Sequence, residues 1–354
     1  MSDNVQCRVQ GACGRITLTR PKAIHALTLD MCEAMSAALL AWLDDDAVQS
    51  VIIEHEGGTR GFCAGGDVAL LRNSAIEDGG RRGRAFFHAE YRLNHLLFTY
   101  SKPTVAFMDG TTMGGGVGIS QPCRYRVATQ NTKFAMPEGA IGLFPDVGAG
   151  WYLPRLPGHV GRFLALTGAR LDGAECLWSG LATHYADSDR LDAAKQAMVA
   201  GSDLQTALGE IAASAPEARL AGNAQAIDRL FAADTLEGIM ADLQADGGDW
   251  AAKELAAVTG KCPATGKVAL RQFAANADCE TFADNMAMEY RIAARMIMRS
   301  DFAEGVRAVL IDKTGDPEWS PATPEDITEA MVDTVFAPLP DGEEWTPFPQ
   351  ASAA

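Results

Sequence analysis

The chain has 354 residues, 47% of them hydrophobic and 21% charged, and a formal net charge of -16 at pH 7. That composition supplies ample material for one large core and excludes a disordered chain, while length alone permits one or two domains. So acidic a chain lacks the clustered basic footprint of a nucleic-acid groove or an anionic membrane surface, and no stretch reaches the roughly 18 uninterrupted apolar residues of a membrane span.

Residues 1–10 carry Asp3 and Arg8 and no apolar run of the kind a secretory signal needs. Eight cysteines, at positions 7, 13, 32, 63, 123, 176, 262 and 279, are scattered without any C-x-x-C pair. They read as reduced thiols, and a cytoplasmic protein is expected.

Over residues 1–135, β-rich runs alternate with helical ones. Strands are expected at 15–18, 50–54, 104–108, 125–128 and 133–135, and helices at 29–43 and 84–98, the first capped by Thr28 with Asp30 in its opening turn. Beyond Gly158 the strand signal fades. Helical patterns then cover 160–167, 172–179, 191–200, 223–232, 268–275 and 281–299, with breaks at Gly201-Ser202, Asp246-Gly247-Gly248 and 260–263. The pattern predicts an α/β core over 1–200, a helical region over 201–340 and a frayed tail over 341–354.

Two glycine-rich runs each follow an expected strand: Arg60-Gly61-Phe62-Cys63-Ala64-Gly65-Gly66-Asp67 and Met113-Gly114-Gly115-Gly116-Val117-Gly118-Ile119-Ser120. Glycines let the backbone turn sharply and bring bare N–H groups up to a ligand, so two such turns could aim two donors at one oxygen; ordinary turns use the same residues. Neither run completes G-x-G-x-x-G, since Ile119 stands where the last glycine would fall, and no G-x-x-x-x-G-K-[ST] occurs.

Further on, Phe134-Ala135-Met136-Pro137-Glu138-Gly139-Ala140-Ile141-Gly142-Leu143-Phe144-Pro145-Asp146-Val147-Gly148 places two acids in an apolar stretch. Buried together, their pKa values would be pushed apart as acid–base chemistry requires; at a surface turn they would merely begin helices.

These runs resemble the two signatures of the crotonase superfamily, and the likeness covers most of the chain. Within it, the stretches FAMPEGAIGLFPDVGAGWYLP (residues 134–154), LTGARL (166–171) and DFAEGVRAVLID (301–312) look most like the 3-hydroxyisobutyryl-CoA hydrolases. The resemblance implies a crotonase-like α/β fold of repeated ββα units with a helical C-terminal region that packs over the active site. It also implies an acyl-CoA substrate, 3-hydroxyisobutyryl-CoA split to 3-hydroxyisobutyrate and coenzyme A in valine catabolism. Coenzyme A is then part of the substrate, and no separate cofactor is called for.

Carried over by motif, the backbone N–H groups of Gly66 and Gly115 form the oxyanion hole, Glu138 and Asp146 match the catalytic acids, and Glu90 is a substrate-site acid. Ala26, Ala64, Gly65 and Gly114 flank the substrate. Glu138 would be either a nucleophile or the general base for water, and Asp146 would orient water or the substrate hydroxyl. Members commonly form trimers or dimers of trimers, which makes a homo-oligomer an expectation too.

In the hydratase branch a second catalytic glutamate follows the G-G-G by two residues, where this chain has Gly118. One other departure is His25-Ala26-Leu27, in place of the usual N-A-L. Arg20, Lys22, Arg60 and Arg72 are the cations nearest the site segments for the coenzyme-A phosphates.

Other residues carry less. Cys63 has no evident activating base and reads as packing, Ser120 does not complete G-x-S-x-G, and the six histidines lack metal-ligand spacing, so no metal is expected. Arg291, Arg295 and Arg299 read as an ion-paired helix face, and Lys267 belongs to the region expected over the site. The competing readings are an enoyl-CoA hydratase or isomerase using the same oxyanion hole, and a catalytically inactive binding protein that keeps the fold.

Overall fold

The computed structural model describes residues 2–349. Its strands are β1 (Val5–Gln10), β2 (Cys13–Leu18), β3 (Ser50–His55), β4 (Thr104–Met108), β5 (Thr111–Met113), β6 (Tyr125–Ala128), β7 (Lys133–Ala135) and β8 (His184–Tyr185). The larger sheet runs β1-β2-β3-β4-β6-β8; β1 and β2 form an antiparallel hairpin and every later neighbour is parallel. A small parallel sheet joins β5 to β7.

Helices of the first half are α1 (Leu29–Leu43), α2 (Val68–Glu77), α3 (Arg81–Phe98), α4 (Gly115–Ser120), α5 (Ala149–Tyr152), α6 (Val160–Thr167), α7 (Gly173–Ser179) and α8 (Leu191–Val199). They are followed by α9 (Leu204–Ile211), α10 (Ala224–Leu230), α11 (Leu236–Asp246), α12 (Asp249–Thr259), α13 (Pro263–Ala275), α14 (Phe282–Met296), α15 (Ser300–Val306) and α16 (Glu329–Phe336).

The central strands are buried on both faces, as parallel strands between helix layers must be. Side chains alternate along them: Ile52, Val105, Phe107 and Val127 pack on α8 and α9, while Val51, Ile53, Ala106 and Met108 face the opposite core. That second core is continuous from Val5 and Ile16 through Phe302 to Trp345, so the C-terminal helices share the core of the sheet.

Three differences from the sequence expectation have physical causes. β1 escapes a hydrophobic-pattern reading because it is an edge strand with mostly exposed side chains. α13 begins at Pro263, where a turn was expected; proline at the first helical position sacrifices an N–H that would have no partner anyway. Residues 341–349 are packed, where a frayed tail was expected: Trp345 is buried and donates Nε1 to the His88 carbonyl, Arg92 donates to Thr346, and Glu344 pairs with Arg291. The rest of the expected tail, 350–354, lies outside the described residues.

The connections that leave the carboxyl ends of the strands build one crevice, the usual position for a site in a parallel sheet. β3 feeds the first glycine turn, β4 and β5 feed the second, and β7 feeds the Pro137-Glu138 segment. The parallel bridge Cys63↔Thr112 ties the two turns together.

Candidate active site

The nine site residues expected from the sequence, Ala26, Ala64, Gly65, Gly66, Glu90, Gly114, Gly115, Glu138 and Asp146, all line one cavity of about 680 Å³. Val309 and Leu310, in the π-type turn Arg307–Ile311 that continues α15, form part of its wall.

Backbone pairing explains why Gly66 offers its N–H. In the parallel bridge Leu27↔Gly66, Leu27 donates to the Gly65 carbonyl at 2.8 Å and accepts from Asp67 N–H at 2.9 Å, which leaves the Gly66 amide pointing away from this partner. Among the described residues neither the Gly66 nor the Gly115 N–H has an acceptor.

The two turns abut so closely that side chains are excluded. A Cβ on Gly115 would lie 2.5 Å from Glu90 Oε1 and 3.2 Å from the Gly65 carbonyl carbon, and one on Gly66 would lie 3.0 Å from the Phe86 ring. Gly114 takes φ +47°, ψ -119°, a conformation open to glycine.

Glu90, Glu138 and Asp146 are 1%, 5% and 4% exposed, which makes a cluster of three carboxyls with almost no water to solvate a charge. Glu90 arrives on the buried face of α3, and Glu138 stands just after β7 with its carboxyl against the second turn, 3.2 Å from where a Gly114 Cβ would be. Asp146 accepts a hydrogen bond from Tyr91 Oη at 2.8 Å. Glu90 Oε1 and Glu138 Oε2 have no partner among the described residues.

Burial, with the neighbouring carboxylates adding to it, holds Glu90 and Glu138 protonated well above the usual range. Burial also raises Asp146, but the Tyr91 hydroxyl opposes it and the value stays at about 7. The Tyr91 hydroxyl thus favours charge on Asp146, whereas Glu90 Oε1 and Glu138 Oε2 have no such donor among the described residues.

The remaining expectations resolve residue by residue. Arg20 lines the cavity but is paired with Asp67 at 2.8 Å, Arg72 donates to the Ala303 carbonyl and braces α2 against α15, and Lys22 and Arg60 are exposed. Lys267 is held by Glu237 and the Ile327 carbonyl, away from the cavity; what packs over the site from the C-terminal region is α15 and its π-type turn. Arg170, not singled out in the sequence, also lines the cavity.

His25 occupies a left-handed backbone position, φ +55°, which Asn and His tolerate better than most residues. Its Nδ1 accepts from Arg20 N–H, so Nε2 carries the proton and faces Thr59 Oγ1; burial lowers its pKa to about 4 and keeps it neutral. Burial pushes the Cys63 thiol up to about 12, which disfavours the thiolate a nucleophile needs, and Ser120 Oγ bonds back to the Gly116 and Val117 carbonyls within α4. Arg291 and Arg299 are ion-paired, to Glu344 and Asp301.

Sequence reasoning missed Tyr91, Asn94 and Glu289. Tyr91 and Asn94 share the buried face of α3 with Glu90, and Glu289 is fully buried on α14. A polar residue at a core position of an amphipathic helix is the signal that would have found each of them.

The enoyl-CoA hydratase/isomerase family profile matches residues 13–336. The chain belongs to this family, the crotonase superfamily of acyl-CoA enzymes. Among its relatives, a Xenopus tropicalis protein described as mitochondrial 3-hydroxyisobutyryl-CoA hydrolase is 40% identical over 93% of this chain and 87% of its own. The Homo sapiens protein of that description is 39% identical over 96% and 89%. Among solved structures, a carnitinyl-CoA dehydratase from Mycobacterium thermoresistibile superposes with a TM-score of 0.92 at 38% identity, covering 98% of this chain and 99% of that one. An enoyl-CoA hydratase from Rhodobacter sphaeroides gives 0.90 at 36% identity, covering 97% and 100%. Among the described residues no helix is long and apolar enough to cross a membrane.

Proposed function

We propose that this chain hydrolyses a short hydroxyacyl-CoA thioester, with 3-hydroxyisobutyryl-CoA the first candidate. The observation that carries the reading is the company, in one cavity, of two glycine N–H groups without acceptors among the described residues, the buried Glu138 carboxyl and the Tyr91-bound Asp146.

In this reading the thioester oxygen accepts from Gly66 and Gly115 N–H, and the negative charge of the tetrahedral intermediate falls on donors already in place. Losing one such donor typically costs about 3 kcal/mol, or roughly a hundredfold in rate. Glu138, lying against the second turn, acts at the carbonyl; Asp146, whose charge the Tyr91 hydroxyl favours, takes up the proton that Glu138 must lose. Water supplies oxygen to the carbonyl carbon, the C–S bond breaks, and the coenzyme-A thiolate leaves to be protonated. Single-turnover hydrolysis in heavy-oxygen water bears on the two routes, since label in the Glu138 carboxyl marks an anhydride opened at the Glu138 carbonyl and its absence disfavours that route.

The solved relatives described as a hydratase and a dehydratase favour a second reading, water addition to an enoyl-CoA. Against it stands position 118, where a Cβ would lie 2.7 Å from Val147 Cβ and 2.8 Å from Asn94 Nδ2. No second acid fits there. Incubation with 3-hydroxyisobutyryl-CoA and with crotonyl-CoA decides: free thiol from the first alone supports hydrolysis, and loss of enoyl absorbance alone overturns it in favour of hydration.

A further inference from the structure

One buried carboxyl has no part in the chemistry above. Glu289, in the second half of α14, is fully buried, and all four of its hydrogen-bond partners donate to it. Oε2 accepts from Gly148 N–H at 2.7 Å; Oε1 accepts from Gly150 N–H, Gln272 Nε2 and Asn285 Nδ2, each at 3.0 Å. Burial pushes the Glu289 pKa up to about 8, and the bonds from Gly148, Asn285 and Gly150 oppose that rise, because a carboxylate only accepts and satisfies every donor.

Two of those donors belong to the backbone just after Asp146. Val147 is held at φ +54°, an uncommon position for a β-branched residue, and Gly148 at φ +92°. A turn of this kind persists only where its surroundings over-determine it. The same Gln272 amide that meets Glu289 also donates to the Pro145 carbonyl at 3.0 Å, so Asp146 is gripped on its N-terminal flank by Gln272 and on its C-terminal flank by Glu289. Behind Glu289 the chain of bonds continues: Asn276 donates to Asn285, and Arg155, stacked on Trp151, donates to Asn276.

We propose that Glu289 is a positioning residue: with Gln272 it clamps the left-handed turn that follows Asp146 and so fixes the Asp146 carboxyl beside Tyr91 and in the cavity. This rests on the hydrolase reading of the site. Glu289 touches no substrate, lies on a helix far along the chain from the acids, and acts through the backbone of residues 145–150.

The test is Glu289→Gln, nearly the same size, which turns one acceptor into an NH₂ facing a backbone N–H. The turnover number should fall about 30- to 100-fold while KM and coenzyme-A affinity stay within about twofold, because the binding walls are untouched and only an acid is misplaced. Hydrogen exchange at the amide of 148 or 150 should accelerate, since one of the two loses its acceptor. An unchanged turnover number, a loss confined to KM, or unchanged exchange overturns the proposal. Should Glu289→Gln not fold, Gln272→Met removes the grip on Pro145 and one of the four donors to Glu289; it should lower kcat about three- to tenfold, and wild-type kcat there overturns the clamp as well. A wild-type protein that hydrolyses no acyl-CoA defeats the hydrolase reading and with it any role of Glu289 in hydrolysis, while exchange at 148 and 150 still shows separately whether Glu289 holds the turn.

Discussion

Replacing Gly115 by alanine is the sharpest perturbation of the proposed oxyanion hole, because it keeps the donor N–H and moves it. The added methyl would lie 2.5 Å from Glu90 Oε1, 3.1 Å from Leu27 Cδ1 and 3.2 Å from the Gly65 carbonyl carbon, whereas ordinary contact begins near 3.4 Å. Something must therefore give by about 0.9 Å at the worst contact. The worst contact is with the tip of the Glu90 side chain, but that carboxyl is buried and Gly65 is backbone of the other turn, so part of the displacement falls on the turns that hold the donors. A misplacement near 1 Å costs about a hundredfold in kcat, or roughly 2.7 kcal/mol of transition-state stabilisation. The assay is steady-state thiol release by Gly115→Ala, Glu90→Ala and the double variant. If the cause is steric, removing the Glu90 carboxyl relieves part of the loss, and the two effects fall short of additive by about 1 kcal/mol or more. Gly115→Ala turnover within about threefold of wild type, or strict additivity, would refute this reasoning.

Further outcomes follow from the acids and the core. Burial raises Asp146 from 3.8 to about 7, so its neutral form is the one the fold prefers: that stability is complete below about pH 4 and is lost as pH rises through 7. Asp146→Asn should thus gain up to roughly 4 kcal/mol over wild type near pH 8.5 and only about 1 kcal/mol near pH 4.5, read by denaturant titration at both; equal gains would contradict it. The acid limb of kcat/KM should lie near pH 7 and move upward in Tyr91→Phe, which removes the hydrogen bond that opposes the rise; an unmoved limb would dissociate Asp146 from that limb. Gly118→Glu should lose about 3 kcal/mol or more of stability against Val147 and Asn94 without gaining crotonyl-CoA hydration, checked by denaturation and enoyl absorbance. Trp345→Ala should cost about 3 kcal/mol, whereas no loss would mean that the C-terminal segment contributes little to the fold.

How far the sequence reveals this molecule depends on the range of each interaction. The glycine turns, the Pro137-Glu138 segment and the strands that feed them are legible because their backbone needs are local: Gly65 and Gly114 have positive φ, and β4, β6 and β7 end where turn chemistry begins. The oxyanion donors are not legible from glycines alone. What frees the Gly66 amide is a bridge to Leu27, about forty residues earlier. Tyr91 meets Asp146 across 55 residues, and Glu289 meets Gly148 across 141, separations at which no periodicity speaks. A trace is present all the same, since Asn285 and Glu289 interrupt the buried face of α14 among Phe282, Met286, Ile292 and Met296. The tail misled for the opposite reason: its prolines and acids look solvated, yet one tryptophan anchors it.

The central claim, that Glu138 performs the hydrolysis, is tested most directly by Glu138→Gln. The side chain keeps its size, its buried Oε2 has no hydrogen bond to lose among the described residues, and the fold already holds Glu138 protonated, so the amide should be at least as stable as the wild type. Thiol release from 3-hydroxyisobutyryl-CoA is predicted to fall by about a thousandfold or more, in the range that removal of an acid–base or nucleophilic group produces. A folded Glu138→Gln protein that releases thiol at the wild-type rate would contradict the account.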